Sequence, residues 1–170
     1  MTLWISILIA VGLLASALVL RAGEPPKRGQ NGDTDIQLVR EILLAEAAGE
    51  GRGGITRVAE VVRTRCGYDH RGKVLGPVST AARVVTKPKQ FSCFNGHTRE
   101  SFLSRRRPRV PAELHDYAES LARALVLTPS LFHSDLACGA THYHAAGVLP
   151  HWARGRVFVH TFHGHVFYKL

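Results

Sequence analysis

The hydrophobic period of this chain changes once, near Gly139, and that change restricts the fold more than any other feature. Upstream, apolar residues recur every three to four positions, as the buried face of a helix requires. Thr34 and Gln37 read as a capping box, after which Ile36, Val39, Ile42 and Leu43 share a helical face and Gly49 supplies a stop. A second helix is predicted from about Ile55 to Cys66, with Val58, Ala59 and Val62 spaced for burial and Gly67 as terminator. Ser79 can cap a brief third helix that must end before Pro88, and Leu114, Tyr117, Ala118, Leu121, Ala122 and Leu125 form a long amphipathic stripe closed by Pro129. From Gly139 onward the chain is aromatic, β-branched and histidine-rich, and RVFVHTF and HVFYKL, separated by His163 and Gly164, read as a β-hairpin. Helices followed by strands imply an α+β domain, a mostly helical body with a small C-terminal antiparallel sheet.

With 170 residues, 45% hydrophobic and 21% charged, the chain has the make-up of one globular domain plus an accessory segment and lacks the signature of disorder. The accessory segment is N-terminal. Leu3 to Leu20 carry no charged side chain and could cross most of a bilayer's hydrocarbon core as a helix, so residues 1–21 read as a hydrophobic transmembrane signal-anchor or a signal peptide. Ala15, Ser16 and Ala17 offer small residues to a signal peptidase, whereas the apolar run continuing through Leu20 favours a retained anchor. Residues 22–33 read as a flexible linker and 34–170 as the folded domain. Arg21, Lys27 and Arg28 follow the span and, by the positive-inside rule, argue for a cytoplasmic domain, against the chemistry developed below.

Lys and Arg number 22 against 13 Asp and Glu, a formal charge of +9 that draws the protein toward polyanions: nucleic acid, anionic lipid or an acidic wall. Arg105, Arg106, Arg107 and Arg109 are interrupted by Pro108 and Pro111, so this run reads as a solvated loop, and no nucleic-acid partner is expected. Cys66, Cys93 and Cys138 lack CxxC spacing, which argues against a zinc ribbon or a thioredoxin-like motif. One disulfide in an exported domain and three small buried thiols are both consistent with them.

Glu46 stands near the end of an apolar helix among Leu43, Leu44, Ala45, Ala47 and Ala48. Desolvation there would favour the protonated carboxyl that a general acid needs, while a water-facing position at the helix end is the plainer reading. Glu50, beyond Gly49, reads as solvent-facing or supporting.

Four segments decide between these. AEAAGEGRGGITRVAEVVRTRC, QFSC at Gln90 to Cys93, GATHYHAAGVLPHWA and HTFHGHVFYKL resemble, in that order, the SleB/CwlJ-type cell wall hydrolases. The resemblance runs from about Thr34 to the C-terminus and leaves out the leader, the linker and the arginine-rich loop. It implies a lysozyme-like fold similar to lytic transglycosylases and cleavage of the β-1,4 bond after N-acetylmuramic acid, with Glu46 as acid and base. Glu50 falls on the segment's second glutamate. It further implies that Gln90, Phe91 and Ser92 line one wall of a glycan groove, and that Thr141, His142, Tyr143, His144 and Trp152 form the other. The chain departs from the family segment at Ala45 and Ala48, where Gly and Arg are usual, and at Thr64, where Asn is usual. The expected partners are peptidoglycan glycan strands and, through the leader, the membrane. A monomer without cofactor is expected, anchored in the inner membrane with the domain facing the periplasm or wall, or secreted after cleavage.

One carboxylate suffices if the muramyl 6-hydroxyl closes a 1,6-anhydro ring. A hydrolase ordinarily needs a second carboxylate, for which Glu50 and Glu60 are candidates. Two other readings stay open. His142 and His144 alternate along a strand, with His151, His160, His163 and His165 nearby in sequence, which would suit a zinc-dependent peptidoglycan peptidase or amidase, although HExxH is absent. A non-catalytic basic membrane protein could instead bind wall polymer or nucleic acid through the arginine loop.

Overall fold

The computed structural model describes residues 32–69, 71–105, 109–132 and 134–169. The leader, nearly all of the linker, and Arg106, Arg107 and Pro108 lie outside them. Among the described residues no helix is long and apolar enough to cross a membrane.

Helix α1, Gly32–Ala47, buries the predicted Ile36, Val39, Ile42 and Leu43, with Leu38, Leu44 and Ala47 added. It starts ahead of Thr34, which therefore lies within the first turn instead of capping it. After a single 3-10 turn at Ala48–Glu50 the chain enters α2, Gly51–Arg65, well before the predicted Ile55. The reason is steric. Gly51 takes φ +65, a left-handed conformation that turns the chain into the helix. A Cβ on Gly54 would lie 2.4 Å from Glu50 Cβ, and one on Gly53 2.8 Å from Phe162 Cζ, so these glycines admit close neighbours and do not break the helix.

Short helix α3, Ala81–Thr86, is capped by Thr80, whose side chain accepts from the Arg83 N–H at 3.2 Å, one residue after the predicted Ser79. A five-residue α4, Arg99–Leu103, is too short to show a period in sequence; Thr98 and Ser101 form its capping box. The long stripe forms α5, Ala112–Leu127, with Leu114, Ala118, Ala122 and Leu125 buried. These helices enclose one core, which also takes in Phe91 and Phe102.

The C-terminal sheet holds β1, His142–Ala145, β2, Val157–Phe162, and β3, His165–Lys169, in the antiparallel order β1-β3-β2. The predicted hairpin is β2 and β3. His142 pairs with Tyr168 and Tyr143 with Phe167, so alternation sends Tyr143, His165 and Phe167 to one face and His142, His144 and Tyr168 to the other. Phe167 packs with Val61, Ala137 and Ala140 in a second core. Helix α2 is the shared wall, giving Val58, Ala59 and Val62 to the helical core and Val61 to the sheet.

Candidate active site

Glu46 lies where α1 gives out, half-buried, and both of its oxygens have donors. The Cys93 backbone N–H donates to Oε1 at 3.1 Å, with Ser92 Oγ at 3.5 Å, and the Tyr143 hydroxyl donates to Oε2 at 2.9 Å. The carboxyl group is thus gripped from two sides, by the turn after Phe91 and by β1. It also borders an open groove of about 910 Å³, lined among others by Leu44, Ala48, Cys93, Phe102, Arg105 and His115.

The Tyr143 phenol is held well above its ordinary pKa, chiefly by burial and then by the negative charge and hydrogen bond of Glu46, while Arg65 opposes the shift. It therefore stays a donor throughout the neutral range. Arg65 ties the two walls together: from the end of α2 its Nε donates to the Thr141 carbonyl at 2.7 Å and Nη1 to the Gln90 carbonyl at 3.3 Å. Its guanidinium lies 5.3 Å from the centroid of the Phe91 ring.

Glu50 is oriented differently. Its Oε1 accepts the Gly164 N–H at 3.0 Å, and His165 Nδ1 lies 2.8 Å from the same oxygen, outside hydrogen-bond geometry. Its Oε2 is buried without a hydrogen-bond partner. Glu50 thus clamps the β2–β3 turn, where the left-handed residue is His163 at φ 47. Gly164 is needed for room, because a Cβ there would meet Glu50 Oε1 at 3.1 Å. His165 in turn meets the Tyr143 ring edge-on at 5.0 Å. Glu60 is deeply buried in α2 and accepts the N–H groups of Leu136 and Ala137.

The expected walls are only partly assembled. Ser92 is exposed beside Glu46, and Gln90 is joined to the site through its carbonyl. Phe91 is only 1% exposed and offers no ring face to a sugar, since it packs under Tyr143 in the helical core. On β1, Tyr143 alone reaches Glu46. His142, His144 and Trp152 lie across the sheet in an aromatic cluster with Tyr168, His144 stacking on that ring at 5.3 Å. Thr141 contributes backbone, accepting from Arg65 and donating to the Tyr168 carbonyl. Burial, followed by Arg65 and Arg156, pushes the His142 pKa down to about 4. His160, by contrast, stacks on Phe167 on the inner face. The histidines are thereby divided between two faces, and among the described residues no three His, Cys, Asp or Glu side chains converge on a metal position. Cys66 is a free, buried thiol, and burial raises it to about 12, while Cys138 is free and exposed.

Sequence reasoning did not find Arg65, His165 or the backbone of Cys93 as parts of the site. Arg65 carried a signal, a cation in the last turn of α2 within a segment already of interest. A backbone donor carries none.

Comparison with protein-family models matches residues 49–168 to a family described as Cell Wall Hydrolase. The match opens at Gly49, just past Glu46, and takes in Glu50 and all of the sheet but Lys169. No curated protein and no solved structure is matched.

Proposed function

The chain belongs to the cell wall hydrolase family, and from that premise we propose that it cleaves the β-1,4 bond between N-acetylmuramic acid and N-acetylglucosamine as a lytic transglycosylase. Glu46 is the general acid and then the base. The observation that carries this reading is the Glu46 carboxyl itself, fixed by Cys93 N–H and Tyr143 Oη yet open to the groove.

Oε2, which accepts from Tyr143 alone, keeps a lone pair free of these donors. Protonated Glu46 gives its proton to the glycosidic oxygen as the bond from C1 breaks, and positive charge develops on the muramyl ring. The resulting carboxylate then takes the proton of the muramyl C6 hydroxyl, whose oxygen attacks C1 and closes the 1,6-anhydro ring.

Two observations support a single-carboxylate route. Glu50 Oε1 is turned to the Gly164 N–H and Glu60 is buried against two backbone N–H groups, and neither residue lines the groove beside Glu46. A lysozyme-like arrangement accords with a catalytic glutamate at a helix end facing a sheet. A wall substrate also accords with a domain on the wall side of the membrane, carried there by the leader.

The test is digestion of purified peptidoglycan with mass analysis of the products. Anhydromuramyl ends are expected. Reducing muramic ends would make the enzyme a muramidase, and freed stem peptides, especially if a chelator stops their release, would overturn the glycosidase reading. Glu46→Gln is expected to lower turnover by about a thousandfold or more while wall binding persists.

A further inference from the structure

The groove beside Glu46 is electrically two-sided. Helix α1 contributes Glu41 and Glu46, whereas Arg105, Arg109 and His115 line it from the segment between α4 and α5 and from the start of α5. Glu41 already holds Arg40 at 2.7 Å. Among the described residues neither Arg105 nor Arg109 pairs with a carboxylate; Arg105 Nη1 instead lies 3.1 Å from His97 Nε2 and 3.5 Å from the Cys93 carbonyl. Residue Cys93 thus donates to Glu46 from its N–H and accepts from Arg105 on its carbonyl, which seats both side chains on the same groove. Helix α5 begins at the same wall with Pro111 as N-cap and no side-chain cap, so its first N–H groups and its dipole add positive potential there. Arg105 and Arg109 thus line the groove beside Glu46, where the sequence alone suggested a solvated loop.

We propose that Arg105 and Arg109 bind the carboxylates of wall stem peptides, which makes peptide-bearing glycan, and not bare glycan, the preferred substrate. This rests on the glycosidase reading above. The stem peptide hangs from the lactyl ether of the muramyl residue whose C1 is cut, so its carboxylates are carried on a short chain from the sugar held at Glu46. A guanidinium is planar, permanently charged and matched to a carboxylate by paired donors, as recognition of a peptide end requires. Nucleic acid fits less well, because the cations share a groove with two glutamates instead of forming an open basic face.

The experiment compares the full-length protein with an Arg105→Gln, Arg109→Gln double variant on two substrates: teichoic-acid-free peptidoglycan, and the same glycan stripped of stem peptides by an amidase, with the lactyl carboxylates so freed capped as amides. On peptide-bearing wall the variant should show a KM raised about tenfold, an effect that added salt diminishes, with kcat little changed. On stripped glycan, variant and wild type should agree. Equal loss on both substrates, or loss on neither, overturns the proposal. A double Arg→Lys variant should recover part of the difference, separating charge from fold. Co-sedimentation with the two walls is read in parallel: if wild type cleaves neither, the glycosidase reading fails, and arginine-dependent preference for the peptide-bearing wall still decides this proposal. Variant binding to duplex DNA, if reduced in place of wall binding, would assign the arginines to nucleic acid and overturn it.

Discussion

The Tyr143 hydroxyl donates to Glu46 Oε2 at 2.9 Å, joining β1 to the end of α1 across 97 positions of sequence. Among the described residues nothing else on the sheet hydrogen-bonds that carboxyl group, so Tyr143 is what couples the sheet to the proposed acid. Tyr143→Phe keeps the ring packing on Phe167 and His165 and deletes only the donor. A hydrogen bond to a charged group contributes about 1.5–3 kcal/mol, so kcat should fall roughly tenfold to a hundredfold with little change in KM. Steady-state kinetics on a defined muropeptide measure this. Because the phenol is held well above its ordinary value, wild type should keep the bond to at least its normal titration range. An unchanged kcat in the variant would remove Tyr143 from the mechanism.

Glu50 separates two mechanisms. As a second catalytic carboxylate it would not tolerate amidation; as the clamp on Gly164 it would, since a Gln side-chain oxygen can still accept that N–H. Glu50→Gln is therefore expected to keep kcat within about threefold, while Glu50→Ala loses about 1–3 kcal/mol of stability by leaving the turn unheld. Paired activity and denaturant-melting measurements distinguish the outcomes, and near-complete inactivity of a folded Glu50→Gln protein would revive the hydrolase plan.

The fold was legible where a period repeats. α1, α5 and the hairpin each show several turns or alternations, and the sequence places them nearly where they lie. Gly53 and Gly54 misled, because their helix-breaking tendency is local while their reason for being there, the approach of Phe162 and Glu50, is tertiary. At the site, strand alternation already contained one correction. His142 and His144 share a face, so Tyr143 between them must face the other way, and the wall drawn from all three could not be one surface. Phe91 looked equally suited to sugar and to core, and the packing of the helical body decided it. The Glu50 clamp was beyond reach, since it depends on a contact with Gly164 that no local pattern announces.

Glycines on either side of Glu50 give a contrast within one short segment. A Cβ on Gly54 would sit 2.8 Å from Glu50 Oε2 and closer still to Glu50 Cβ, whereas one on Gly49 meets nothing within 4 Å. Gly54→Ala should destabilise by about 2–3 kcal/mol through overpacking and should loosen the Glu50 clamp. Gly49→Ala, at ordinary φ, should be neutral or stabilise by up to about 1 kcal/mol by restricting the unfolded chain. Thermal melts of the two variants test this directly; equal shifts would mean that the space around Glu50 is not tight.

The histidines on the two faces of the sheet predict an acid-labile fold. His142 is lowered to about 4, first by burial and then by Arg65 and Arg156, and His160 is lowered in the same direction by burial and Arg57. An unfolded histidine titrates near its ordinary value of about 6.5, so between that pH and about 4 the unfolded chain binds the proton that the folded chain refuses. Stability is therefore fully present above about pH 6.5 and is lost as pH falls toward 4. Allowing for the part-exposed setting of His142, its share is about 1–2 kcal/mol. His142→Gln cannot titrate, so its melting temperature should fall less than that of wild type between pH 7 and pH 4.5. Parallel curves for the two proteins across that range would show that His142 is not held neutral by the Trp152 and Arg65 side of the sheet.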